Sequence, residues 1–153
     1  MTYDYYMSQL PPAAPFETAT GFLLARLGSL AERSWTEMLG QFKLTAHHHG
    51  VLLILRAHSP LGQQELGRMI GVDPRNVVPI LDGLVDQGLL DRQTDPIDRR
   101  RRILSLTPKG QATADRLATA ANAIEEQFLQ ALDQQDKVEL NRILLHLLGS
   151  LTN

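Results

Sequence analysis

Residues 88–110 have the sequence GLLDRQTDPIDRRRRILSLTPKG, and this stretch decides the fold. Two of its segments, residues 89–93 and 102–106, have the length and pattern of short strands. The segment between them opens with Thr-Asp-Pro, which is typical of a turn. Thr107 followed by Pro108 is the pattern of an N-cap and a first helical residue. The stretch therefore predicts a β-hairpin that leads directly into a helix.

The tip of this hairpin carries four consecutive arginines, Arg99 to Arg102, directly after Asp98. Guanidinium groups so close together repel one another and add nothing to an apolar core, so the cluster indicates an anionic partner such as the DNA backbone. The whole chain has a net charge of −2, yet five of its fifteen Lys and Arg residues lie between Arg92 and Arg102. Because local charge matters more than total charge for binding phosphate, the acidic balance does not exclude a nucleic-acid partner.

The segment upstream, QELGRMIGVDPRNVVPILDGL at residues 64–84, predicts a helix-turn-helix. We expect a short helix over residues 62–70, with Leu66, Met69 and Ile70 facing inward, and a second helix over residues 74–87. Asp73 is its predicted N-cap, and Gly88 ends it. Two residues weaken these helices. Gly67 lowers the stability of the first helix by about 1 kcal/mol relative to alanine, and Pro79 should bend the start of the second helix.

The remaining residues predict four more helices. An amphipathic helix covers Phe16 to Phe42, a second runs from Thr45 to about Ala57, a third follows Thr107 with an apolar stripe that includes Leu132, and the last begins at about Gln134. The last helix is apolar on most of its surface, which favours packing against a second chain. The predicted fold class is mainly α with a small β-hairpin wing: a winged helix-turn-helix plus N- and C-terminal dimerisation helices.

Composition excludes several classes of function. The 153 residues contain no cysteine, so disulfides, Cys-ligated zinc and thiol sensing are absent. No apolar run is long enough to span a membrane, and the first fifteen residues lack the features of a secretion signal, so we expect a cytoplasmic protein. We find no paired carboxylates, phosphate-binding glycine loop or nucleophile–base arrangement, so we predict no enzyme activity and no cofactor.

The stretch at residues 88–110 resembles the wing of the MarR family of transcriptional regulators. That family has a Gly-Leu strand, a D-x-x-D-R-R tip and an L-T-x-x-G entry into the next helix, all of which are present here. The resemblance covers about residues 16–151. It implies a homodimer, more often a repressor than an activator, that reads a palindromic operator with half-sites about 34 Å apart. It also implies dimerisation helices at 16–44 and 108–153 and a DNA-binding lobe at 45–107. The three Tyr and three Pro of residues 1–15 predict a flexible arm.

In this frame the helix after Asp73 enters the major groove of double-stranded DNA. Arg75 and Asn76 would contact guanine and adenine edges, the bases that their side chains bind in a bidentate way. Arg99 would enter the minor groove, oriented by a charge-assisted pair with Asp98. The remaining predicted DNA contacts are Arg100 and Arg101 on the wing, with Arg102 unassigned, and the phosphate contacts Gln63, Gln64 and Arg68.

The histidines allow three interpretations: an effector pocket, a metal site or a structural role. The family resemblance implies a pocket for a small aromatic or phenolic effector, lined by Arg33, Trp35, Met38, His48 and His49. A zinc-responsive regulator of the same fold is the alternative, although adjacent helical histidines point about 100° apart and cannot share one ion. A His-based metalloenzyme has less support. The third interpretation is structural, with histidines that pack and form hydrogen bonds near the dimer junction.

Overall fold

The structure, a computed structural model, describes residues 18–151. Within that range the elements are α1 (Thr20–Gln41), α2 (Ala46–His58), β1 (Leu61–Gly62), α3 (Gln63–Ile70), α4 (Pro74–Asp86), β2 (Leu90–Thr94), β3 (Arg102–Leu106), α5 (Pro108–Phe128) and α6 (Gln134–Leu151). A division after Trp35 separates two compact units, Met1–Trp35 and Thr36–Asn153. The predicted arm and the predicted helix start at Phe16 lie outside the described residues.

Thr45 begins α2, as predicted. Its side chain accepts the backbone N–H of His48, while the His48 side chain accepts the backbone N–H of Thr45, which completes a capping box. The helix ends at Ser59, whose N–H donates to the carbonyl of Leu55. Its inner face supplies the centre of the core, where Val51, Leu52 and Leu55 are fully buried.

The helix-turn-helix forms from α3 and α4. Gly71 adopts a left-handed conformation at the end of α3, and the Asp73 side chain caps α4 at the N–H of Arg75. Of the three residues predicted to face inward from α3, only Leu66 is buried; Met69 is 47% exposed and Ile70 is half-buried. An eight-residue helix has two turns, so it buries fewer positions than its apolar residues suggest.

Close packing of α3 and α4 accounts for Gly67, and α4 accommodates Pro79 on its exposed side. A Cβ on Gly67 would lie 3.3 Å from a methyl carbon of Val77, so the glycine lets α3 and α4 pack closely. Helix α4 continues through Pro79 to Asp86, and Pro79 lies on its exposed side. The fifth or a later residue of a helix normally donates its N–H to the preceding turn, so Pro79 removes one such bond without ending the helix.

The wing is an antiparallel hairpin in which Leu90 pairs with Leu106 and Thr94 with Arg102. The strands are those predicted, with β2 shifted by one residue toward the C-terminus. A third strand, β1, was not predicted; it pairs with β3 through Leu61 and Leu104 and gives the order β1-β3-β2. Two residues are too few to show an alternating pattern, so no sequence signal marks β1. The fold is the predicted mainly helical winged helix.

The segment 107–110 joins the wing to α5 and holds the end of α4. The Thr107 hydroxyl donates to the carbonyl of Gly88 at 2.7 Å and accepts the N–H of Gly110 at 2.9 Å. The Lys109 ammonium donates to the carbonyl of Gln87 at 2.6 Å. A Cβ on Gly110 would lie 1.9 Å from the carbonyl oxygen of Leu89, so only glycine fits there. The L-T-x-x-G pattern is thus a packing requirement.

Helix α5 packs through Ala114 and Leu117, and the Arg116 guanidinium lies 5.1 Å from the centre of the Phe42 ring. Leu132, predicted in its apolar stripe, lies beyond the helix end at Phe128. Helix α6 has no buried residue in the isolated chain, although most of its residues after Val138 are apolar. In the described part of the chain, no helix has the length and apolar character needed to cross a membrane.

Candidate nucleic-acid interface

The start of α4 presents Arg75 and Asn76 to solvent. The Arg75 side chain is 89% exposed, and its guanidinium makes a two-point ion pair with Asp73, at 3.1 Å from Nε to Oδ1 and 2.9 Å from Nη2 to Oδ2. These hydrogen bonds lower the pKa of the Asp73 carboxyl and raise the pKa of Arg75. The N-cap residue therefore also holds the predicted base-reading arginine, a role that the sequence analysis did not assign to Asp73.

The exposed face of α4 continues from Arg75 through Pro79 to Asp82, which recur at i, i+4 and i+7. The opposite face, with Val77, Leu81 and Leu84, is buried. Asp82 would bring negative charge to a DNA-facing helix, but the guanidinium of Arg92 on β2 binds its carboxylate at 2.8 Å. The Arg92 side chain is only 24% exposed, so this ion pair links the predicted major-groove helix to the wing.

The wing tip is built by its two aspartates. The Asp95 carboxylate accepts the N–H groups of Ile97 at 2.8 Å and Asp98 at 3.3 Å, and these bonds lower its pKa. The Asp98 carboxylate accepts the N–H of Arg100 at 3.0 Å. The structure thus corrects the predicted pair of Asp98 with the Arg99 guanidinium: a short turn directs the Asp98 side chain to backbone two residues ahead.

The four wing arginines differ in their surroundings. Arg99 and Arg100 are exposed on the turn. The guanidinium of Arg101 lies near Gly62, where Nη2 would be 3.6 Å from an added Cβ. Arg102 binds the hydroxyl of Thr94 across the hairpin. Arg101 and Arg102 are exposed as well, but their guanidinium groups contact the sheet at Gly62 and Thr94.

A cleft of about 140 Å³ lies between the wing and the start of α3. The structure brings together here the three residues predicted to contact phosphate, Gln63, Gln64 and Arg68, and three of the wing arginines. The complete lining is Gly62, Gln63, Gln64, Glu65, Arg68, Arg100, Arg101 and Arg102. The arrangement places several cations and amide groups beside one helix start, which suits a phosphate oxygen. Arg75, Asn76 and Arg99 are not among the residues that line this cleft.

The histidines predicted near an effector pocket have structural partners. His48 Nδ1 accepts the N–H of Thr45 at 3.3 Å, and its Nε2 lies 3.0 Å from where a Cβ of Gly83 would stand. Burial, followed by the charge of His47, lowers the pKa of His48, and burial lowers the pKa of His49. Met38 and His49 are buried in the second unit, whereas Arg33 and Trp35 belong to the first. Over residues 18–151 no group of three His, Cys, Asp or Glu residues could hold a metal ion.

Comparison with known proteins agrees with this geometry. The model of the MarR family matches residues 44–101. The chain is 27% identical over 147 residues to the HTH-type transcriptional repressor NicR of Pseudomonas putida, over 92% of this chain and 93% of that protein. It is also similar to the PcaV transcriptional regulator from Streptomyces coelicolor, with a TM-score of 0.74 and 27% identity, over 87% of this chain and 97% of the other.

A further similar structure is the transcriptional repressor CouR bound to a 23-mer DNA duplex, with a TM-score of 0.75 and 27% identity over 91% of this chain and 99% of CouR. The fold, the exposed helix and the arginine wing together define a DNA-binding winged helix-turn-helix regulator of transcription. Residues 44–101 match the MarR family, and over most of its length the chain is similar to regulators of transcription. The named relatives are described as transcriptional regulators or repressors.

Proposed function

We propose that the protein is a sequence-specific repressor that binds a palindromic operator as a homodimer. The observation that carries this proposal is the exposed, basic surface on one lobe. It consists of the start of α4 with Arg75 and Asn76, the cleft residues around Arg68 and the wing tip with Arg99. We assign base contacts in the major groove to α4, a minor-groove contact to Arg99 and phosphate contacts to the cleft. The similar CouR is a repressor bound to a 23-mer DNA duplex, which supports a DNA-binding role for this chain.

The homodimer is supported by the apolar surface of the terminal helices. On α6 the side chains of Val138, Leu145, Leu148 and Leu151 are 60% to 82% exposed in the isolated chain. On α1 the exposed apolar residues are Phe22, Leu23, Leu24, Leu27 and Leu30. Apolar surface of this extent is typical of an interface between chains. We therefore propose that α1 and α6 form the dimer, in line with the predicted dimerisation segments.

We further propose that a small aromatic acid releases the protein from its operator. This part rests on the family resemblance, and the pocket residues Arg33, Trp35, Met38, His48 and His49 stay a prediction. An effector acts only if it binds one spacing of the two lobes better than the other. The test is a panel of benzoate and phenol derivatives, with zinc included, added to the protein on its operator; no release by any of them would contradict the effector response.

The central experiment is selection of bound duplexes from a random-sequence pool, followed by a salt titration on the enriched duplex. We expect a palindrome, and an affinity that falls steeply with salt, with a slope of about −0.9 for each phosphate contact. Arg99→Ala should weaken binding while the protein stays folded. Arg142→Ala is the matched control, since Arg142 pairs with Glu139 on α6, away from the lobe. A pool without enrichment would contradict the proposal, and unchanged affinity of the Arg99 variant would remove its minor-groove role.

A further inference from the structure

The exposed face of α4 carries two apolar side chains beside the polar residues Arg75 and Asn76. Pro79 is exposed, and Val78 beside it is 43% exposed. Because Pro79 follows Arg75 by four residues and Asn76 by three, all three lie on neighbouring positions of the helix surface. The apolar pair is therefore continuous with the two residues to which the proposed function assigns base contacts.

Packing within the chain does not account for this position. The buried side of α4 consists of Val77, Leu81 and Leu84, and Pro79 is on the opposite side. A proline at this position also removes a backbone N–H from the helix, so it can donate no hydrogen bond to a phosphate or a base. What it can offer is a rigid apolar ring held outward by a continuous helix.

The partner that fits an apolar side chain in the major groove is the C5-methyl group of thymine. This methyl is the one apolar group that a base pair presents in that groove. We propose that Pro79, with Val78 beside it, is a specificity-determining contact that recognises thymine methyl groups next to the bases contacted by Arg75 and Asn76. The inference rests on the proposed function and adds a chemical preference to it.

The test replaces thymine by uracil, which removes the methyl group and leaves base pairing unchanged. Each thymine of the duplex enriched from the random pool is replaced in turn, and the affinity of the full-length protein is measured. We expect one or two thymines per half-site at which the loss is about fourfold, the value for one lost apolar carbon contact. At those thymines Pro79→Ala should show a smaller difference between thymine and uracil than the natural chain does, because alanine presents less apolar surface than the proline ring. Alanine restores the helical hydrogen bond and is a better helix former, so this variant should remain folded.

Ile97→Ala is the matched control. Ile97 is 95% exposed on the wing, which the proposed function assigns to the minor groove, where no methyl group is presented. This variant should keep the wild-type ratio of thymine to uracil affinities even if its total affinity changes. An enriched duplex at which uracil costs no affinity, or a Pro79 variant that distinguishes the two bases as well as the natural chain does, would overturn the inference alone. A pool without enrichment would overturn the proposed function and this inference with it.

Discussion

Among the described glycines, Gly110 is the one at which the fold leaves the least space for a side chain. Replacing it with alanine would place a Cβ 1.9 Å from the carbonyl oxygen of Leu89, and backbone atoms cannot move aside as a flexible side chain can. We expect Gly110→Ala to lower the free energy of unfolding by about 3 kcal/mol or more, since overpacking in a tight site costs this much. Urea denaturation of the two proteins measures the difference.

Gly50 on α2 is the control for that substitution, because a Cβ there meets nothing within 4 Å. Gly50→Ala should raise the free energy of unfolding by about 0.5–1 kcal/mol through helix propensity. Equal effects at the two positions would show that the close approach to Leu89 does not constrain Gly110.

Arg75 is held by Asp73 before any DNA is present, so its guanidinium has a defined starting orientation. We expect Arg75→Ala to relax base preference at one position of each half-site, with a loss of discrimination of about 1–3 kcal/mol. Binding of duplexes that vary one base pair at a time measures this. If affinity instead falls equally for all sequences, Arg75 contacts only phosphate.

At the scale of elements, His48 joins the start of α2 to α4. Its Nδ1 can accept the Thr45 N–H only while that nitrogen is unprotonated, and burial lowers the pKa of this imidazole. The unfolded state then binds protons more readily than the folded state, so stability is complete above the ordinary pKa of 6.5 and falls as the pH drops below it. Thermal unfolding across pH 4.5–8 measures this dependence.

His48→Gln tests the origin of that dependence, because glutamine also serves as the third residue of a capping box but does not titrate. We expect the variant to lose part of the acid destabilisation, while His49, whose pKa burial also lowers, retains its share. If the variant loses as much stability at low pH as the natural chain does, the acid destabilisation comes from groups other than His48.

The ion pair of Arg92 with Asp82 connects the wing to α4. Arg92→Gln leaves the Asp82 carboxylate unpaired on a helix that we place near phosphates, so we expect affinity for the selected duplex to fall about two- to fivefold. The double variant Arg92→Gln with Asp82→Asn should recover affinity, because the repelling charge is gone. Recovery would not occur if Arg92 itself were a phosphate contact, and a fluorescence titration of the natural chain and the two variants distinguishes the two roles.

At the scale of the whole molecule, the apolar helices at the two ends of the chain are expected to be covered by a second copy. Leu148 is 60% exposed on α6, and Leu148→Glu would put a charge into that interface. We expect the mass in solution, measured by light scattering, to fall to that of one chain. Leu53→Glu on α2, where the leucine is 41% exposed, should leave the mass unchanged. A natural chain that is already monomeric would contradict the proposed dimer.

Local signals in the sequence predict most of the fold. The caps at Thr45, Asp73 and Thr107, the proline at the start of α4 and the glycine at its end were all identified from residue type and spacing, because each acts on backbone within a few residues. The short strand β1 was missed, since its partner Leu104 lies more than forty residues away. The prediction that Met69 faces inward was wrong, since Met69 is 47% exposed. The spacing of apolar residues indicates which face of a helix is apolar, but not how much of that face the neighbouring elements cover.

The wing illustrates which features of the site can be predicted from the sequence and which cannot. Its sequence by itself determined that cations cluster on a hairpin beside a helix-turn-helix, since composition and spacing are properties of the chain. Only the tertiary structure decided what each charge contacts: Asp98 the backbone of the turn, Arg92 the carboxylate of Asp82, and Arg101 the surface at Gly62. The physical reason is that a charge–charge contact depends on distance in space, and the chain brings these partners together only when the sheet and helices pack.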